Sequence, residues 1–133
     1  MKNGFLSMNK HILLVDDDSS LRATLRTCLE TVGYHCEEAV NGYDAREWLK
    51  RGHPVDLMVI DHQMPRLAGL DLIKILKKQV DTQIIPIIFY SGQLTLELKY
   101  QALQAGVNAV LEKPFPLQEF LDLVARIWQK TEK

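Results

Sequence analysis

Long hydrophobic runs are missing from this chain of 133 residues. Its longest (Ile12 to Val15, Leu57 to Ile60, and Ile84 to Phe89 with Pro86 inside) are far too short to cross a bilayer. Charge of one sign is missing as well. Lys and Arg together number 16 and Asp and Glu 17, a net charge of −1, so no bulk attraction to nucleic acid or to an anionic membrane is expected. Cysteine is scarce. Cys28 and Cys36 stand at no metal or redox spacing and are expected to be buried free thiols in a reducing, cytoplasmic setting. Met1 to Lys10 shows no apolar block before a small-residue cleavage site, so it does not resemble a secretory signal, and residues 1–9 are expected to form a short flexible leader. Repeats and low-complexity segments are absent. So is a glycine-rich turn after the first apolar strand, where Asp16-Asp17-Asp18 stands instead; that excludes a dinucleotide-binding fold, because carboxylates without a metal repel an anion.

The composition, 47% hydrophobic and 25% charged, is that of one ordinary globular domain, expected over residues 10–130 and large enough to bury a core. Leu57-Met58-Val59-Ile60-Asp61 organises it. A continuous apolar run of this length fits a strand buried on both faces, as in a parallel sheet covered by helices. His11 to Val15 is a second such strand. After it, Leu21, Leu25, Cys28, Leu29 and Val32 recur at helical spacing, with Asp18 or Ser19 as N-cap and Gly33 as the stop. Tyr34 to Val40 reads as an edge strand because of Glu37 and Glu38. A helix follows Asn41-Gly42, burying Ala45, Trp48 and Leu49. Another is marked by Leu70, Ile73 and Leu76 and closes on Lys74, Lys77 and Lys78. Ile84 to Tyr90 is predicted as the fourth strand, about Gln93 to Ala105 as the fourth helix stopped by Gly106, and Asn108 to Glu112 as the fifth strand. Leu117, Phe120, Leu121, Val124, Ile127 and Trp128 stripe the last helix. Five alternations of strand and helix predict an α/β, doubly wound, five-stranded parallel sheet with helices on both faces.

In such a sheet the strand ends share one edge, where ligands bind. Asp16-Asp17 follow the first strand, Asp61 the third, Ser91 the fourth and Lys113 the fifth. Clustered carboxylate oxygens with no Cys or His beside them describe a site for Mg²⁺, a hard ion held by carboxylates, waters and phosphate. A hydroxyl and an ammonium added to it complete what a phosphoryl group needs: its equatorial oxygens neutralised while a carboxylate attacks in line.

From about Lys10 to Lys130 the chain resembles a response-regulator receiver domain, the CheY-like phosphoacceptor module of two-component signalling. Ile-Leu-Leu-Val-Asp-Asp-Asp resembles that family's first strand and acidic pair. Leu-Met-Val-Ile-Asp-His-Gln-Met-Pro-Arg-Leu-Ala-Gly resembles its phosphorylation strand and loop, including Met64-Pro65 and Gly69; Ile-Ile-Phe-Tyr-Ser-Gly carries the hydroxyl residue, and Leu-Glu-Lys-Pro-Phe the Lys-Pro. The resemblance implies a flavodoxin-like (βα)5 fold with strand order 2-1-3-4-5. It implies that Asp61 takes a phosphoryl group from a sensor histidine kinase or histidine phosphotransfer protein. Mg²⁺ would lie between Asp16, Asp17, Asp61 and the backbone carbonyl of Gln63. Lys113 and Ser91 would meet phosphoryl oxygens, the Lys113-Pro114 bond would be cis, Gly92 would leave room beside Ser91, and Asp18 would cap a helix. Catalysis would be confined to the domain's own phosphotransfer and autodephosphorylation, with no substrate turned over, no nucleic acid bound directly and no membrane engaged.

Two features depart from the family pattern. Three positions before the lysine, where an aromatic ring often couples to the hydroxyl, stands Val110. The fourth helix also carries two apolar stripes, Leu94, Leu98, Ala102 and Ala105 on one side and Leu96, Tyr100 and Leu103 on another. The second stripe, extended by Val110 and Leu123, is expected to be exposed and to meet a downstream protein or a second copy of the chain. His62 is expected to be a neutral surface residue, and Gln63 and Gln93, which offer no base to water, imply moderately slow self-dephosphorylation. Two other readings stay open: a phosphatase of the haloacid-dehalogenase type using Asp16-x-Asp18, which would leave Asp61 idle, and a receiver-like interaction module that is never phosphorylated.

Overall fold

The structure, a computed structural model, describes residues 10–131; the expected leader, 1–9, lies outside the described residues. Five strands, β1 (His11–Val15), β2 (His35–Ala39), β3 (Leu57–Asp61), β4 (Ile87–Ser91) and β5 (Ala109–Glu112), alternate with five helices, α1 (Ser19–Thr31), α2 (Gly42–Lys50), α3 (Gly69–Lys77), α4 (Leu96–Ala105) and α5 (Leu117–Thr131). The strands form one parallel sheet in the order β2-β1-β3-β4-β5. Among the described residues no helix is long and apolar enough to cross a membrane.

Side chains alternate across a strand, and here the alternation sorts the core into two layers. Ile12, Leu14, Leu57, Val59, Ile88 and Tyr90 pack with Leu25 and Leu29 of α1 and Phe120, Val124, Ile127 and Trp128 of α5. Leu13, Val15, Met58, Ile60, Ile87 and Phe89 pack with Ala45 of α2, Ile73 and Leu76 of α3 and Ala102 of α4. β3 and β4 are buried along their whole length, as their apolar runs require. The same parity sends Asp16, two residues beyond Leu14, and Asp61, two beyond Val59, toward the α1/α5 side that Tyr90 faces.

The helix boundaries follow local chemistry. Asp18 caps α1, its carboxylate accepting from the amides of Ser20 and Leu21; Asn41 caps α2 through Asp44, and Thr95 caps α4 through Leu98. Gly106, at φ 106°, ends α4 in the left-handed conformation that glycine tolerates best.

Four sequence expectations shift. β4 begins at Ile87 and not Ile84, because Pro86 has no amide to give a ladder, and Ile84 is 81% exposed. α4 begins at Leu96 and not near Gln93, since the Thr95 hydroxyl supplies the cap. β5 begins at Ala109, because Asn108 instead brackets Ile87, donating from its amide to the Ile87 carbonyl and accepting from the Ile87 amide. Val32 lies beyond the last turn of α1 as its C-cap and is 44% exposed.

At the β2 edge Glu38 accepts from Arg22 Nε at 2.8 Å and Arg26 Nη1 at 2.7 Å, tying α1 to the strand. The Arg26 hydrogen bond, helped by Arg22 and opposed by partial burial, holds the Glu38 carboxyl below its ordinary range. A folded value below the unfolded one means stability fully present above the unfolded carboxylate range, about 4.3, and lost as pH falls through the depressed folded value. Glu38→Gln is therefore expected to cost about 1 kcal/mol at pH 7, after discounting for partial solvent screening. Urea unfolding should show the gap between wild type and variant closing as the pH is taken below 4.

Candidate functional site

Asp16 and Asp17 follow β1, Asp61 closes β3, Ser91 closes β4, and Lys113 follows β5. In a parallel sheet these are all carboxyl ends of strands, so one edge gathers them. Register completes the arrangement, pairing Asp61 with Tyr90 and Ser91 with Glu112, while the Lys113 amide donates to the Ser91 carbonyl at 2.9 Å. The Lys113-Pro114 peptide is cis.

Asp16, Asp17 and Asp61 each place a carboxylate oxygen within 4.8 Å of the others; Asp16 and Asp61 are buried and Asp17 is exposed. Lys113 Nζ sits 3.2 Å from Asp61 Oδ1. Even so, neither Asp61 oxygen has a hydrogen bond of good geometry among the described residues, although the side chain is 1% exposed. Burial first and the charge of Asp16 second, opposed by Lys113, push the Asp61 carboxyl up to about 6. Buried acceptors short of well-formed hydrogen bonds call for a ligand. An all-oxygen, triply acidic cluster with one ammonium at its side fits a hard divalent cation such as Mg²⁺.

Neighbouring groups fix this cluster. Asp16 accepts at Oδ1 from the Asp18 amide (2.8 Å), at Oδ2 from the Tyr90 hydroxyl (2.5 Å) and at its carbonyl from Arg22 Nη1 (2.6 Å). Burial and the Asp16 charge drive the Tyr90 phenol far above its ordinary range, so it serves as a donor. Lys113 Nζ lies 5.2 Å from the centre of the Tyr90 ring. Ser91 is fully buried, its Oγ accepting from the Gln93 amide at 3.1 Å.

Two expectations need adjustment. The room beside Gly92 is taken by Gln63, whose Oε1 accepts from the Gly92 amide at 2.9 Å and lies 3.0 Å from where a Cβ would be. His62 is half-buried and not a free surface ring. Its Nδ1 accepts from the Leu70 amide at 3.3 Å, serving the start of α3, where Ala68 has no capping side chain, and burial lowers its pKa. Two residues of the pocket, Tyr90 and Arg22, are not singled out by the sequence motifs. A phenol inside a strand buried on both faces was the available signal for Tyr90, because its hydroxyl has to find a partner there. Nothing in the spacing singles out Arg22.

The chain matches the family model of the response regulator receiver domain over residues 12–125. It is 36% identical over 121 residues to the response regulator MprA of Mycobacterium leprae, covering 91% of this chain and 52% of that protein. To the chemotaxis protein CheY-3 of Vibrio cholerae it is 31% identical over 126 residues, covering 94% and 96%. The chain thus spans about half the length of MprA and nearly all of CheY-3. Among solved structures, the receiver domain of the Francisella response regulator 1452 superposes with a TM-score of 0.82 at 34% identity, covering 94% of this chain and 100% of that one. The chain belongs to the response regulator receiver domain family of two-component signalling.

Gly69 shows how closely the site is built. A Cβ there would stand 2.2 Å from the Asp61 carbonyl oxygen and 2.8 Å from His62 Cα, both backbone atoms that cannot swing aside. Gly69→Ala is expected to cost about 1–3 kcal/mol, the usual range for overpacking. Urea unfolding measures the loss, and amide shifts at residues 61 and 62 should report the displaced strand end.

Proposed function

We propose that this domain takes a phosphoryl group from the phosphohistidine of a sensor histidine kinase or histidine phosphotransfer protein onto Asp61, and passes the signal through the surface of α4, β5 and α5. The observation that carries the reading is the Asp61 carboxylate: buried, paired with Lys113, and short of hydrogen bonds on both oxygens. In the proposed step an Asp61 oxygen forms a bond to phosphorus in line with the phosphorus–nitrogen bond, which breaks and leaves its electron pair on the donor imidazole. Lys113 passes from Asp61 to a phosphoryl oxygen, and the Ser91 hydroxyl donates to another. Asp16, Asp17, Asp61 and the Gln63 backbone carbonyl would hold Mg²⁺, which when bound neutralises charge on the carboxylates and the phosphoryl oxygens. An apolar groove lined by Leu21, Thr24, Pro114, Phe115 and Leu117 runs up to Lys113 and offers the donor an approach.

The output face is supported by exposure. Leu96 is 86% exposed, and Tyr100 and Leu103 are exposed beside it, while Val110 and Leu123 are half-buried. Large apolar groups grouped in this way mark an interaction surface, for a downstream protein or a second copy. The phosphatase reading finds less support. Asp18, the second acid of its motif, is committed to the amides of Ser20 and Leu21. The complete set of acids, hydroxyl and lysine weighs against a module that is never phosphorylated.

Incubation with Mg²⁺ and acetyl phosphate, followed by intact mass, is expected to add one phosphoryl group to the wild type and none to Asp61→Asn. Omitting Mg²⁺ should abolish the gain, and modification that survives in Asp61→Asn would overturn the assignment. With Gln63 tied to the Gly92 amide, and the amides of Gln63 and Gln93 offering no base to water, the phosphorylated protein should lose its label moderately slowly; very rapid loss from purified protein contradicts this part.

A further inference from the structure

Tyr90 is a polar residue in a strand otherwise read as core. Its position in β4 is fully buried, as are Ile87, Ile88 and Phe89 before it. A phenylalanine would bury as much ring, so what tyrosine adds is its hydroxyl, and a buried hydroxyl without a partner is destabilising. The partner is Asp16 Oδ2, at 2.5 Å. Hydrogen bonds of this kind, from a hydroxyl to an ionised carboxylate, are short and roughly twice as strong as neutral ones.

Tyr90 also touches the other side of the pocket. Lys113 Nζ lies over its ring, 5.2 Å from the centroid, and Phe115 packs at 5.6 Å. Asp61 is its direct cross-strand neighbour. One side chain therefore bridges Asp16 and Lys113, the anionic and cationic neighbours of Asp61. Asp16, held at Oδ1 by the Asp18 amide and at Oδ2 by Tyr90, has little rotational freedom left. Each carboxylate oxygen still has a second lone-pair direction for a cation or its water.

We propose that Tyr90 is a positioning residue of the acidic pocket, its hydroxyl fixing the Asp16 carboxylate for a divalent cation while its ring supports Lys113. The inference rests on reading the pocket as a Mg²⁺ site. Removing a partner that orients a metal-binding carboxylate typically weakens metal affinity 10- to 100-fold. A merely structural role for the bond, filling the needs of a buried hydroxyl, would lower stability and leave Mg²⁺ affinity alone.

The test is calorimetric titration of Mg²⁺ into the unphosphorylated full chain, wild type against Tyr90→Phe, with melting in chelator as the measure of folding. Tyr90→Phe is expected to bind Mg²⁺ at least about tenfold more weakly. Binding as tight as wild type, or tighter, overturns the role of Tyr90 and leaves the metal site standing. A wild type that binds no Mg²⁺ overturns the metal reading and the inference with it. Where Tyr90→Phe does not fold, wild-type protein labelled with 3-fluorotyrosine decides the matter. The Tyr90 fluorine resonance, assigned by replacing Tyr34, Tyr43 and Tyr100 in turn, should shift as Mg²⁺ saturates, and a resonance that stays still refutes the proposal.

Discussion

Crowded negative charge at the end of β3 is the constraint that the rest of the structure answers. Three carboxylates keep oxygens within 4.8 Å of one another, and two of them are buried. Two unit charges at that separation repel by roughly 3 kcal/mol at an effective dielectric of about 20, before any cost of desolvation. One ammonium, Lys113, stands against them at 3.2 Å and leaves both Asp61 oxygens without a well-formed hydrogen bond. Such an arrangement persists only where the surroundings over-determine it. The fold provides that by placing the acids at the ends of adjacent strands, where relaxing any one would mean slipping a fully buried ladder. Gly69 lets α3 start directly against the Asp61 carbonyl, and Arg22 clamps the carbonyl of Asp16 while bonding Glu38 across the sheet edge. The edge strand, the first helix and the pocket are thus one mechanical unit.

Much of this was legible in the sequence, for a physical reason. Strands buried on both faces must be apolar throughout, so Leu57 to Ile60 and Ile12 to Val15 declare themselves, and the first polar residue after each run marks where the chain leaves the core. Asp16 and Asp61 are such residues. What periodicity could not show was whatever depends on one atom. Pro86 looks apolar and lengthens the hydrophobic run, but lacks the amide that pairing needs, and so Ile84 and Ile85 fall outside β4. Thr95 outcompetes Gln93 as the start of α4 through its hydroxyl. Side-chain partners were less visible still. Tyr90 to Asp16 spans 74 positions and Gln63 to the Gly92 amide 29, and no local pattern encodes either.

Rigidity is unevenly distributed. α3 buries Leu70, Leu72, Ile73 and Leu76, each contributing about 1.5–3 kcal/mol when fully buried. α4 fully buries Ala102 alone; Leu98 is half-buried, and Leu96 projects into solvent. α4 thus buries far less apolar side chain than α3, and weakly held elements are the ones that shift at low free-energy cost. It also begins five residues after Ser91, at the other end of a short loop whose Gly92 amide is already held by Gln63 from the β3 side.

These facts bear on how a signal could leave a receiver domain with Val110 in place of a ring. An aromatic switch works by trading one well-packed rotamer for another, and valine has no such pair of states. The loop between Ser91 and Thr95 offers a different route. Its backbone is attached at one end to the buried Ser91 and at the other to a helix that packs on the core through Ala102 and the half-buried Leu98 and Ala105. A change at Ser91 would reach that loop through its own backbone, and one at Gln63 through the side-chain oxygen that accepts from the Gly92 amide. Within the proposed function, α4 with its exposed Leu96, Tyr100 and Leu103 would be the part of the surface that such a loop moves.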